Sequence, residues 1–99
     1  MGKAKSIITK ITNRLKKLGY DCKRSHGYRY SSAFVSKNGQ YVYISADDDR
    51  EKVLIRTAEN EQDFTGGQNN FANVDLEGNN FSEALVLVEK LIKRGVRNA

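Results

Sequence analysis

Two side chains in this 99-residue chain are suited to proton transfer or nucleophilic attack near neutral pH: its one histidine and its one cysteine. His26 lies in "KRSHGYR", with Lys23, Arg24 and Arg29 close by. An imidazole beside cations that can hold a phosphate is a minimal arrangement for a general base acting on a phosphodiester. That chemistry also asks for a second histidine, a paired carboxylate or a nucleophile motif, and none is recognisable around it. His26 reads as a turn residue. Cys22 has basic neighbours, which lower a thiol pKa, but with no partner motif it reads as a small packing residue. The stretch "DDDREKV" gathers Asp47, Asp48, Asp49 and Glu51 like a fragment of a calcium loop. It lacks the D-x-D-x-D-G spacing and the distal bidentate glutamate, so it reads as a solvated turn, with contact to a basic partner or crude mimicry of phosphates as the other readings. "TGGQNN" has no following Lys-Ser/Thr and does not open a helix directly, which excludes a phosphate loop. No catalytic residue, metal site or cofactor is assigned, and the expectation is a non-enzymatic protein.

Charge is the stronger signal. The formal net charge is +5, but it is segregated along the chain. Residues 1–30 carry nine basic groups against Asp21 alone, residues 31–89 carry four against eleven acids, and residues 90–99 add four more basic groups. The two ends are basic and the middle is acidic, which bears on partners more than on fold. Opposite the apolar stripe of the first predicted helix, Lys3, Lys10, Arg14 and Lys17 line one side. Lys90, Lys93, Arg94 and Arg97 crowd the end of the last helix. Side by side, the two would form one basic surface able to contact a phosphate backbone. The plain alternative is a solvated face whose cations complement helix dipoles.

The elements that position these residues follow from hydrophobic period. Ile7, Ile8, Ile11, Leu15 and Leu18 form one helical stripe, predicting a helix from about Lys3 to Leu18 that Gly19 ends. Tyr20–Arg24 is a connection or short extended piece. Asn38-Gly39 between two alternating runs signals a type I′ hairpin over 28–45. This pairs Val35 with Val42, Phe34 with Tyr43 and Ala33 with Ile44. Lys52–Ala58 follows the "DDDR" turn as a third strand, with Val53 expected opposite Ile44 and Ile55 opposite Val42. "FANVDL" (71–76) is a fourth, and the polar 59–70 segment is a long loop. Asn80 and Glu83 make a capping-box-like start to a last helix through Phe81, Ala84, Leu85, Val88, Leu91 and Ile92, ended by Gly95.

The order predicts one α+β domain over 1–99, a two-layer α-β-β-β-β-α sandwich with both helices on one face of an antiparallel sheet. Ala33, Val35, Val42 and Ile44 turn toward the helices. Tyr30, Phe34, Tyr41, Tyr43, Leu54 and Arg56 turn away, and four such rings approach or exceed what a monomer ordinarily leaves wet. Three covers compete: the 59–70 loop with Phe64, a protein partner or second copy, or stacked bases. The lone cysteine excludes an internal disulfide framework and points to a reducing compartment. With no apolar run of 18 residues and no signal-like N-terminus, a soluble cytoplasmic protein without a membrane partner is expected.

The helix-glycine-hairpin rhythm of Leu15–Gly19, then Phe34 and "NGQYVYI", is similar to that of double-stranded-RNA-binding domains and HicA-type toxins. It covers about a third of the chain. The last helix opens on the neutral-to-acidic "NNFSEA" where the RNA-binding domains place lysines, and the toxins' glycine-serine-histidine motif is not reproduced. No residue role is carried over.

Three functions are therefore weighed. The first is a nucleic-acid-binding module acting through the basic helices, phosphate-led and weak in sequence preference. The second is a protein-interaction or inhibitor module of phage or mobile-element type, using the tyrosine-rich sheet face for dimerisation or for partner binding. The third is a nuclease-like enzyme centred on His26.

Overall fold

The computed structural model describes residues 2–64 and 67–97, the last three by their backbone alone. They form α1 (Lys3–Lys17), β1 (Asp21–His26), β2 (Tyr30–Lys37), β3 (Gln40–Asp47), β4 (Lys52–Ala58), β5 (Asn70–Asn73) and α2 (Ser82–Arg97). The strands pair in chain order as one antiparallel meander. α1 packs over β1, β2 and β3, and α2 over β3, β4 and β5, so both helices cover the aliphatic face of the sheet. The predicted two-layer α+β architecture is the one observed, with one strand more than expected.

The core is built by matching periods. From α1 come Ala4, Ile7, Ile8, Ile11 and Leu15, and from α2 Ala84, Val88, Leu91 and Ile92, with Phe81 just ahead of it. The sheet supplies Ala33, Val35, Val42, Ile44, Val53, Ile55 and Ala72. Each fully buried isoleucine or phenylalanine contributes roughly 1.5–3 kcal/mol relative to exposure. Leu18 does not join this stripe: it is the C-cap residue of α1 and stays 58% exposed. Gly19 follows at φ +93°, and the chain closes a Schellman motif. The Tyr20 N–H bonds to the Leu15 carbonyl at 3.0 Å and the Gly19 N–H to the Lys16 carbonyl at 3.1 Å. That motif delivers Tyr20, rather than Leu18, into the core.

The hairpin register is as predicted, with Phe34 opposite Tyr43, Val35 opposite Val42 and Lys37 opposite Gln40 around Asn38-Gly39. Four expectations are corrected. Residues 21–26 form the edge strand β1, pairing Cys22 with Val35, Arg24 with Ala33 and His26 with Ser31. Ile44 faces Ile55 and Val42 faces Thr57, a shift of two residues, because Asp47 stays in β3 and the turn begins at Asp48. An even shift keeps every side chain on its predicted face. The capping box is not closed: Glu83 Oε1 accepts from the Asn73 N–H of β5 at 3.2 Å, while Asn80 Oδ1 accepts from the Ser82 N–H at 3.1 Å. Lastly, α2 runs through Gly95 to Arg97, since glycine stops a helix only where it takes the left-handed conformation.

Candidate nucleic-acid interface and the outer sheet face

α1 carries Lys3, Lys5, Lys10, Arg14, Lys16 and Lys17 in fifteen residues and no carboxylate. Nothing on the helix itself neutralises them, so neighbouring elements decide which cations are engaged. Lys3 Nζ reaches Glu51 Oε1 at 3.5 Å, a half-exposed ion pair worth little on its own. Arg14 turns toward the start of α2: its Nη2 donates to Asn79 Oδ1 at 2.9 Å, and its guanidinium lies 4.8 Å from the Phe81 ring centroid. Lys10 and Lys17 are exposed. On α2, Lys93 pairs with Glu89 at 2.9 Å, while Lys90 and Arg94 are exposed. The Arg97 side chain lies outside the described residues. Among the described residues, Lys5, Lys10, Lys16, Lys17, Lys90 and Arg94 have no carboxylate within ion-pair distance. The two helices pack on the same face of the sheet, with Glu83 and Glu89 as the acids of α2.

The opposite face of the sheet is partly roofed. Arg56 is 4% exposed, its guanidinium 4.5 Å from the Tyr43 ring centroid and its Nη2 donating to the Asp63 carbonyl at 2.9 Å. That bond draws the loop after β4 back over the sheet. Phe64 then meets Phe34 and Tyr43 edge-on, with ring centroids 5.3 and 6.1 Å apart. Phe34 and Arg56 are therefore buried beneath the chain's own loop, and Tyr43 is half-buried. Tyr41 and Leu54 are also half-buried, and Tyr30 remains 50% exposed. Beside the roof runs a cleft of about 510 Å³ lined by Lys23, Ser25, Tyr30, Phe34, Tyr43 and Phe64, among others. Farther along, Tyr30, Leu54 and the 54%-exposed Phe71 border a smaller one of about 270 Å³.

The residues singled out for chemistry are placed as follows. Cys22 Sγ donates to the Thr12 carbonyl at 3.6 Å, and burial pushes its thiol above the usual range. The His26 ring pairs through Nδ1 with the Ser31 hydroxyl, on a serine that is wholly buried. Burial, then Lys5 and Arg24, hold its pKa below the ordinary imidazole value. The acidic turn is tied into the fold. Asp48 Oδ1 accepts from the Ala4 N–H at 2.9 Å, Asp49 pairs with Arg29 at 2.7 Å, and Asp47 Oδ1 accepts from the Asp49 N–H at 2.9 Å. Among the described residues no group of three or more His, Cys, Asp or Glu side chains is placed to hold a metal ion, and no helix is long and apolar enough to cross a membrane.

Residue spacing did not reveal that Lys5 and Lys16 lie on the β1 side of α1, where they act on His26 and Cys22. Arg24 could be assigned a face only once β1 was known to be a strand. No protein-family model, curated protein or solved structure matches the chain.

Proposed function

We propose that this domain is a non-enzymatic cytoplasmic module that binds nucleic acid through its helix layer, by contacts to the phosphate backbone. The observation that supports it is the state of the α1 cations: six on one helix, no acid among them, and most without an ion-pair partner among the described residues. A surface held this positive is electrostatically costly unless a polyanion neutralises it, and counterion release then supplies the affinity. Lys10 and Lys17 are the central contacts. Lys3 and Arg14 flank them, and Lys90, Lys93, Arg94 and Arg97 extend the surface along α2. Contacts to phosphates position the nucleic acid without reading its bases, so binding is general in sequence.

The test is titration of labelled duplex DNA and RNA with the wild type and a Lys10→Glu, Lys17→Glu variant. Both positions are exposed, so the variant keeps its circular-dichroism spectrum and urea midpoint. Its affinity falls at least about tenfold near 100 mM salt. Equal affinities for the two proteins would remove α1 from the interface.

A second reading keeps support from Tyr30 and Phe71, each half or more exposed beside Leu54. In that reading this end of the outer sheet face takes a protein partner or a second copy, as an inhibitor or interaction module would.

A further inference from the structure

The edge strand β1 sorts its side chains by the register it makes with β2. Cys22, Arg24 and His26 stand opposite Val35, Ala33 and Ser31, on the helix side of the sheet. Asp21, Lys23 and Ser25 point to the outer side, where Lys23 pairs with Glu61 at 2.9 Å. α1 lies over this strand and runs against it: Cys22 donates to the Thr12 carbonyl, while Lys5, seven residues earlier on α1, acts on His26 at the other end of the strand. Lys16, Arg24 and, with the opposite sign, Asp21 act on Cys22, and Arg24 acts on His26 as well. The seam between α1 and β1 is thus a row of three cations, Lys16, Arg24 and Lys5, with His26 at its end.

We propose that this α1–β1 seam, Lys16, Arg24 and Lys5 with His26, is the track along which one nucleic-acid strand lays its phosphates. The inference rests on the nucleic-acid reading given above and extends it to a flank of α1 that faces away from α2. Three features support it. None of the three cations has a carboxylate within ion-pair distance among the described residues. The acids at the N-terminal end of α1 and the neighbouring turn are already engaged, Asp48 by the Ala4 N–H and Asp49 by Arg29. The length also fits. Four strand steps from Cys22 to His26 span about 13 Å, long enough for the backbone of one nucleic-acid strand to run past all three cations.

His26 gives the seam a pH dependence. Its Nδ1 is held by Ser31, leaving Nε2 as the second ring nitrogen. Lys5 from α1 and Arg24 from its own strand face it and oppose its protonation, and Arg29 in the adjoining turn is neutralised by Asp49. Phosphates in the seam reverse that opposition. The ring is neutral at pH 7.5, and as pH falls it gains a charge that adds to binding.

The experiment is a salt titration of binding to a labelled DNA duplex. It compares the wild type, a Lys5→Gln, Arg24→Gln variant and a Lys52→Gln control on the outer sheet face. The paired variant lowers the magnitude of the log–log salt slope by about 1.8, and the control leaves it unchanged. Between pH 7.5 and pH 5.5 the wild type tightens, by no more than the about eightfold that one added phosphate contact supplies at 0.1 M salt, and His26→Gln abolishes that change. A wild type that binds with the paired variant showing the same slope would overturn the seam and leave the helix-layer reading standing. A wild type that binds no duplex at all would overturn both.

Discussion

The carboxylate of Asp48 caps a helix forty-four residues away: its Oδ1 accepts the Ala4 N–H at 2.9 Å. The residue at the N-cap position of α1 is Gly2, which has no side chain to do this, and the first turn contains no acid. The "DDDR" turn therefore supplies from across the fold both the hydrogen-bond acceptor and the negative charge that a helix N-terminus favours. Asp48→Ala is expected to lower stability by about 1 kcal/mol in urea unfolding, with an unchanged m value. Asp49→Ala, which removes only an exposed pair with Arg29, should cost less than about 0.5 kcal/mol. Equal losses would deny Asp48 its capping role.

Arg56 holds the roof over the outer sheet face. Arg56→Ala removes its bond to the Asp63 carbonyl and its contact with the Tyr43 ring, at a cost of about 2–3 kcal/mol. Phe64→Ala, which removes two edge-on ring contacts at an exposed position, should cost about 1 kcal/mol. Both variants should be cleaved faster by protease within 59–70. An Arg56→Ala protein with wild-type stability and cleavage would show that the loop is held by something else.

Gly39 separates conformational from steric cost. It sits at φ +77°, and a Cβ built there meets nothing within 4 Å. Gly39→Ala should therefore destabilise by about 1 kcal/mol through backbone conformation alone. A neutral substitution would show that the turn relaxes to another type.

Cys22 is half-buried, and its raised pKa leaves less thiolate at neutral pH than an ordinary cysteine has. Alkylation by iodoacetamide at pH 7.5 should be slower than for a free thiol and should accelerate once urea unfolds the chain. Fast labelling of the folded protein would contradict the placement of Sγ against Thr12.

The parts of this fold that could be read in the sequence are those where period and turn chemistry act locally. Asn38-Gly39 set the hairpin register, and the isoleucines of α1 and the Phe81–Ile92 pattern of α2 marked both helices. β1 was not legible because "DCKRSH" turns only Cys22 onto the core. An edge strand of polar residues has no alternation to detect. The two-residue shift between β3 and β4 was equally silent, since it leaves every face unchanged. Glu83 looked like the partner of Asn80, and only the nearby Asn73 N–H in three dimensions diverts it to β5. For the candidate surfaces, α1's cations were plain from composition. The engagement of Lys3 by Glu51 and of Arg14 by Asn79 depends on long-range contacts that spacing does not encode, and so does the burial of Phe34 and Arg56 under residues 59–64.

The salt dependence of wild-type binding to a labelled DNA duplex, measured between about 50 and about 200 mM salt, tests the central claim most directly. A phosphate-led interface on the helix layer with four to six contacts predicts a log–log slope of roughly −3.5 to −5.5. Absence of binding at the lowest salt, or a slope near zero, would contradict nucleic-acid association and turn attention to Tyr30, Leu54 and Phe71 as a protein-binding surface.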